Sequence, residues 1–270
     1  VPVYVVDSGS SEPEKSALEE HCRRFGAHYL RCDSPGVSVA RNRAISEVKS
    51  EWIVFIDDDA LPHPDWLRGL LNVLQSAGED TAVIGGRIEP GWPGDTPPPE
   101  MTDRWLLLLS CVVAQGTGSL DQGYNVCGVN LAFRRNALEQ AGGFPTTLGR
   151  VGTHLISGEE AYVIDRIRDL GYRAEYNSSF AVDHVIPAER LKREWVAKRA
   201  YWEGVSIARM VKVTNGSFPP ELNLVKLMLS VMTLYFFKAI SSNPDYSIRY
   251  SMARGSFAER LSLSELLGRC

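Results

Sequence analysis

Between Val3 and Arg190, short apolar runs of strand length alternate with segments whose apolar positions fall three and four residues apart. This alternation predicts strands joined by helices, and helices of this length imply right-handed crossovers between parallel strands. Val3 to Val6 is a β-branched run. Ser11 through Glu14 has capping-box spacing, and Ala17, Leu18, His21, Cys22 and Phe25 mark one helix face that Gly26 terminates. His21 on that face reads as a packed core histidine. Tyr29 to Cys32 follows as a second strand and Ser38 to Val48 as a second helix. Trp52 to Ile56 is a continuous apolar run, the pattern of a strand covered on both faces, and it ends in Asp57, Asp58 and Asp59. Pro64 fits the first turn of the next helix, with Leu67, Leu70, Leu71 and Leu74 at helical spacing.

After a strand at Thr81 to Ile88 the pattern breaks. Pro90 to Glu100 (PGWPGDTPPPE) reads as a loop, because proline has no N–H to give a ladder. Trp92 within it is placed either to stack on a sugar ring or to fill packing space. Gln115 to Gly123 is a second, glycine-rich loop, followed by a strand at Tyr124 to Phe133 and a short helix at Asn136 to Ala141. Loops this long in a compact domain are usually lids or binding loops. Ser157 to Glu160 opens a helix that runs through Leu170 to the stop signal Gly171, and Phe180 to Val182 is a strand leading to Asp183 and His184.

With 270 residues, 44% hydrophobic and 23% charged, the chain has the makings of one large soluble α/β domain, residues 1–190, with a helical C-terminal extension, residues 191–270. A net charge of -4 gives no whole-chain signature of nucleic-acid binding. The five cysteines show no C-x-x-C spacing, which argues against a disulfide framework or a structural zinc site and for a reducing cytoplasm. No basic n-region or cleavable apolar core stands at the N-terminus. From Arg190 to Lys212, seven basic residues are interleaved with Trp195, Tyr201 and Trp202. That composition suits either a solvated helix face or an anionic membrane surface at the inner face of the cell membrane. Leu222 to Ile240 approaches bilayer-spanning length, but Asn223, Lys226 and Lys238 favour a buried or interfacial helix. The tail from Ser251 is polar and expected to pack loosely.

Three carboxylates at the end of a sheet strand stand where open α/β sheets bind ligands. Asp also decorates helix N-termini, so the triplet alone leaves two readings. The chemical one is a divalent cation, held by hard oxygen ligands, that carries nucleotide phosphates. Ser157 and Glu160 likewise have capping-box spacing and would satisfy orphan N–H groups. Yet Glu160 shares a face with Ile164 and Ile167, which turns it inward, where a carboxylate can act as a general base. His184 is either a metal ligand or an ordinary strand-end histidine.

In order along the chain, VVDSGSS, GVSVARNRAI, FIDDDALPHPDWL, GVNLAFRRNALEQAGGF, SGEEAYVIDRIRDLGY and DHV resemble the inverting family 2 glycosyltransferases of the GT-A fold. The resemblance covers roughly Val3 to Arg190. It implies a Rossmann-like, mainly parallel mixed sheet and transfer of a sugar from a nucleoside diphosphate sugar to a glycan or lipid-linked acceptor hydroxyl, with Mn2+ or Mg2+. By that resemblance Asp7 contacts the base, Arg41 lies near the nucleotide, and Asp57 and Asp58 contact ribose or diphosphate. Asp59 holds the metal and His184 completes its site; Glu160 is the base and Glu159 its neighbour. Family members carry a strand, loop and helix ahead of the VVDSGS strand. If that strand sits inside the sheet, Val3 to Val6 is expected to lack a partner.

Three rivals share parts of this pattern. A phosphohydrolase with an Asp nucleophile needs a small polar group after the pair, where Ala60 and Leu61 stand. A nucleotidylyltransferase carries a basic glycine-rich phosphate loop near its start, which is not visible in this sequence. A noncatalytic sugar-nucleotide-binding or scaffold protein of the same fold is the remaining alternative.

Overall fold

The computed structural model describes residues 1–94, 97–99, 101–120, 125–214, 224–241 and 243–267. Among the described residues, two sheets carry the strands. In the smaller, β1 (Tyr4–Ser8) pairs parallel with β2 (His28–Cys32), with Tyr4 opposite His28 and Asp7 opposite Arg31. The N-terminal strand therefore has a partner on one side, contrary to the expectation that it would have none. Helix α1 (Glu14–Phe25) joins the two strands and ends at Gly26, whose φ of 68° is left-handed and costs glycine little. Its predicted apolar face holds only in part: Leu18 and Cys22 turn inward, whereas Ala17, His21 and Phe25 do not. Pro13 occupies the N-cap with no side-chain cap, His21 is exposed, and Phe25 is 73% exposed. Cys22 alone in that helix is fully buried, and the half-buried Lys15, Leu18 and Glu19 share its face at helical spacing, so the inward side is narrower than the predicted one.

Helix α2 (Val37–Glu47) leads to the larger sheet, whose order is β3 (Trp52–Ile56), β7 (Asn130–Arg134), β5 (Thr81–Gly91), β8 (Arg173–Val185), β4 (Ala60–Pro62), with β6 (Thr117–Ser119) also on β8. The sheet is mixed: β5 and β8 are parallel, whereas β7 runs antiparallel to both β3 and β5. Its core is hydrophobic on both faces. Ile53, Ala82, Val83, Leu131 and Phe133 meet Val163, Ile164 and Ile167 of α6 (Glu159–Asp169), and Ile84 and Phe180 meet Leu70 and Val73 of α3 (Trp66–Ser76).

Four predicted boundaries move for physical reasons. Helix α3 starts at Trp66 and not at Pro64, because the unpredicted strand β4 ends only at Pro62 and Pro64 lies in the turn that Trp66 N–H closes on His63 O; Leu67 and Leu71 stay exposed. Strand β5 runs through Pro90 to Gly91, since Gly91 accepts from Ile186 N–H and the proline donates nothing that the ladder requires. Strand β7 begins only at Asn130, after a turn in which Asn130 N–H donates to Cys127. The Ser157 capping box does not form: Gly158 is the N-cap of α6.

Past α4 (Asp103–Leu108), α5 (Arg135–Gln140), α6 and a 3-10 turn at Ala188–Leu191, three helices follow among the described residues: α7 (Arg193–Val213), α8 (Leu224–Ile240) and α9 (Pro244–Leu267). The segment expected to pack loosely is helical and well packed through its first half. Gly204 and Gly255 let α7 and α9 touch backbone to backbone, and a Cβ on either would lie within 1.9 Å of the other helix's carbonyl. Trp92 is partly buried against the Trp105, Leu108 and Val196 cluster, which favours packing over sugar stacking. No helix among the described residues is long and apolar enough to cross a membrane. Leu222, Asn223 and Cys270 lie outside the described residues.

Candidate active site

Strand β3 ends at Ile56, and the chain turns so that Ala60 N–H donates to Asp57 O before β4 begins. Asp58 is exposed at the turn. The antiparallel β4–β8 ladder sets Ala60 opposite His184, and Val185 N–H donates to Asp59 O at 2.8 Å. This register carries Asp59 to His184. Asp59 Oδ1 lies 3.3 Å from His184 Nε2, and Asp59 Oδ2 lies 3.4 Å from Nη2 of Arg190. The bond from His184 holds the Asp59 carboxyl below its ordinary pKa, against the opposing effect of burial, with Arg190 assisting.

The second half of the cluster hangs on Arg41 of α2. Its guanidinium is buried, with Nη1 2.9 Å from Glu160 and 3.1 Å from Glu159, and Nη2 3.6 Å from Asp57. The rings of Phe144 and Phe55 face it at 5.3 and 5.8 Å, so π-clouds as well as carboxylates compensate the buried cation. Burial alone would weaken its charge, but Glu160, Glu159 and Asp57 hold it protonated. One arginine thus ties the end of β3 to the start of α6.

Three carboxylates around one cation titrate apart. Burial and the neighbouring Glu160 push Glu159 up to about 8, and its Oε2 is buried without a partner. Burial also acts upward on Glu160, but Arg41 and the helix N–H outweigh it and bring Glu160 below its usual value. Asp57 is raised, chiefly by burial. Within this buried pair, burial favours the protonated form of Glu159, whereas Arg41 favours the ionised form of Glu160.

Gly128 makes the cluster fit. A Cβ there would lie 2.1 Å from Glu160 Oε1 and 2.3 Å from Arg41 Nη2, so only glycine admits both. The residue sits within the GVN segment, yet nothing in sequence spacing marks it as a contact of Glu160. Asn130 of the same segment is structural: its amide donates to Arg87 O and Phe180 O, and its carbonyl accepts from Trp66 Nε1. Arg190 is the other residue that the sequence left unmarked, one basic residue among seven.

Asp7 stands apart, in the smaller sheet. Its carboxylate accepts from Tyr29, Arg31 and the N–H of Ser10 at 2.6 to 2.8 Å. These bonds overcome the effect of burial and lower its pKa to about 2. Its side chain has no exposed surface, so what it offers a ligand is the placement of Tyr29 and Arg31.

The donors fit a divalent cation in a limited way. Asp59 and His184 are of the right type, and their 3.3 Å separation is close to that of two neighbouring ligands on an ion with bonds of about 2.1 Å. Among the described residues no cluster of three or more His, Cys, Asp or Glu is arranged to hold an ion. The chain offers two donors, and a Mg2+-type ion ordinarily takes the rest from phosphate and water.

A mixed sheet with an Asp cluster at one strand end, facing an acidic helix N-terminus, is the architecture of GT-A glycosyltransferases. The mannosyltransferase PcManGT from Pyrobaculum calidifontis, solved with GDP-Man and Mn2+, superimposes with a TM-score of 0.59 at 20% identity, covering 97% of this chain and 77% of that one. The family model described as glycosyl transferase family 2 matches residues 1–142, and the chain belongs to that family. Among its relatives, the glucosyl-dolichyl phosphate glucuronosyltransferase of Haloferax volcanii is 27% identical over 207 residues, covering 76% of this chain and 65% of that protein. The succinoglycan biosynthesis protein ExoM of Rhizobium meliloti is 26% identical over 214 residues, covering 77% and 64%. The chain therefore spans slightly less than two thirds of the length of these two relatives.

Proposed function

We propose that the protein transfers a sugar from a nucleoside diphosphate sugar to an acceptor hydroxyl by a single displacement that inverts the anomeric carbon. The observation that carries this reading is the Arg41 bridge, which puts Asp57 and Glu160 in contact with the same guanidinium. In this reading Asp57 binds the donor and Glu160 accepts the proton, and their shared contact with Arg41 supports their acting on one sugar.

In this reading the nucleoside rests against the Asp7, Tyr29 and Arg31 corner, and Asp57 and Asp58 contact ribose or diphosphate. Asp59 and His184 hold Mn2+ or Mg2+, which when bound offsets the charge that develops on the leaving diphosphate. Glu160, ionised beside Arg41, accepts the acceptor's hydroxyl proton. The acceptor oxygen bonds to the anomeric carbon as the bond from that carbon to the diphosphate oxygen breaks. Glu159 keeps its proton and leaves Glu160 as the accepting carboxylate. No covalent nucleophile is required.

Residues 1–190 carry this chemistry, and α7, α8 and α9 make up a C-terminal extension. A glycan or lipid-linked acceptor suits the extension, in keeping with the dolichyl phosphate in one relative's name. On α8, Met228, Leu229, Met232 and Tyr235 are exposed, and the helix has lysines but no acidic residue. That face supports peripheral contact with an anionic membrane, at the inner face of the cell membrane.

Release of nucleoside diphosphate from UDP-glucose, UDP-glucuronate, UDP-N-acetylglucosamine and GDP-mannose, with Mn2+ and then with EDTA, tests the function. Mn2+-dependent release supports transfer; binding of UDP or GDP without turnover of any donor points to the noncatalytic sugar-nucleotide-binding alternative.

A further inference from the structure

Helix α7 presents a single stripe, Arg199, Trp202, Glu203, Ser206 and Met210, to the loop that delivers the acidic pair. These positions fall three and four apart, so they share one helix face. Each one meets His154, Ser157 or Gly158. The Trp202 and His154 rings stack with centroids 4.9 Å apart. Ser157 N–H donates to Ser206 Oγ at 2.9 Å, and Ser206 in turn donates to Trp202 O at 2.7 Å. Ser157 Oγ donates to Glu203 at 2.9 Å and accepts from Arg199 Nη2 at 3.3 Å. Arg199 closes the network on Glu203 at 2.8 Å. Met210 abuts Gly158, at φ 97° the left-handed N-cap that turns the chain into α6.

Arg199 and Ser206 are buried, and burial of a polar network is costly unless its members are satisfied. Ser157 supplies part of that satisfaction: its hydroxyl accepts from Arg199 Nη2 and its N–H donates to Ser206 Oγ, while Arg199 Nε stays buried without a hydrogen-bond partner among the described residues. Simple anchoring of a surface helix needs only apolar contact; this network instead fixes the N–H and hydroxyl of the residue two positions before Glu159.

We propose that Ser157 and the α7 stripe are positioning residues: they set the pitch of the Gly158 turn and so the placement of Glu160. This inference rests on the function proposed above. It makes α7 a working part of the active site, although none of these five side chains need touch the donor.

The test uses the full chain with Ser157→Ala, Ser157→Thr and Ser206→Ala, and a donor that the wild-type protein turns over with Mn2+. Expected for both alanine variants is a fall in kcat of roughly ten- to a hundred-fold, the scale of a small misplacement at a reacting centre. Affinity for the matching nucleoside diphosphate should stay within about two-fold, and Ser157→Thr should restore most of kcat, since it keeps the hydroxyl. Amide exchange across 154–162 should accelerate in the alanine variants while that of β5 and β7 does not. Unchanged kcat in a folded Ser157→Ala protein overturns the positioning role, as does a loss confined to nucleotide affinity. Absence of turnover by the wild-type protein with every donor instead overturns the functional reading on which the role rests.

Discussion

Adding one methyl at Gly128 probes the acidic cluster without changing any charge. In Gly128→Ala the new Cβ would stand 2.1 Å from Glu160 Oε1 and 2.3 Å from Arg41 Nη2, whereas real Cβ atoms essentially never come within 3.0 Å of such neighbours. Glu160 must therefore retreat by close to 1 Å. It cannot swing freely, because Arg41 holds it while also contacting Glu159 and Asp57, so the displacement spreads through the cluster. A carboxylate misplaced by that distance from an attacking hydroxyl costs about a hundred-fold in rate. Overpacking a filled interior costs about 1–3 kcal/mol of stability. The assay is steady-state release of nucleoside diphosphate, with urea unfolding measured on the same preparation. A Gly128→Ala protein with stability lowered on that scale and turnover within two-fold of wild type would show that the cluster is not where the reaction occurs.

Glu159 should make stability pH-dependent. Burial and Glu160 push its folded pKa up to about 8, well above the ordinary glutamate range, so between the two the folded state holds a proton that the unfolded chain has released. Stability should fall as pH rises from 5 to 8, by at most about 1.4 kcal/mol per unit from this group. Urea titrations of Glu159→Gln should show that slope reduced, and an unaltered slope would remove Glu159 as its source. Asp59→Ala should weaken Mn2+-dependent binding of UDP or GDP at least roughly ten-fold by calorimetry, and an identical titration would count against a metal role. Gly255→Ala, whose Cβ would meet Tyr201 O at 1.8 Å, should lower the unfolding free energy by about 1–3 kcal/mol, checked by thermal and urea melts; an unmoved midpoint would mean that α9 does not pack on α7 as described.

Legibility in the sequence follows the range of the interactions involved. The bounds of Trp52 to Ile56 were readable from its continuous apolar run, although the strand lies at the sheet's edge with only Ile53 fully buried and is not fully covered on both faces. Those of helix α6 were readable because its apolar positions and the Gly171 stop are local signals. The clustering of Asp57, Glu159 and Glu160 around one arginine was readable only from the order of motifs. Their contact runs through Arg41, over a hundred residues from the acidic pair, and no periodicity reports that. The antiparallel course of β7 also escaped local reading, since strand polarity is set by the connection and not by the strand. Strand β4 is three residues long and includes a proline, too short to show alternation, yet it brings Asp59 to His184. Ser157 illustrates the opposite error. Its capping-box spacing with Glu160 is a sound local signal, and tertiary contacts with Glu203 and Ser206 override it.

The comparison that tests most directly whether Glu160 is the reacting base is Glu160→Gln against wild type, measured for sugar transfer and for calorimetric binding of UDP and GDP with Mn2+. Nucleotide affinity should persist while transfer falls by roughly a hundred-fold or more, because the amide cannot accept the hydroxyl proton. Transfer at near wild-type rate by a folded Glu160→Gln protein would contradict that assignment and, with it, the single-site reading of the cluster around Arg41.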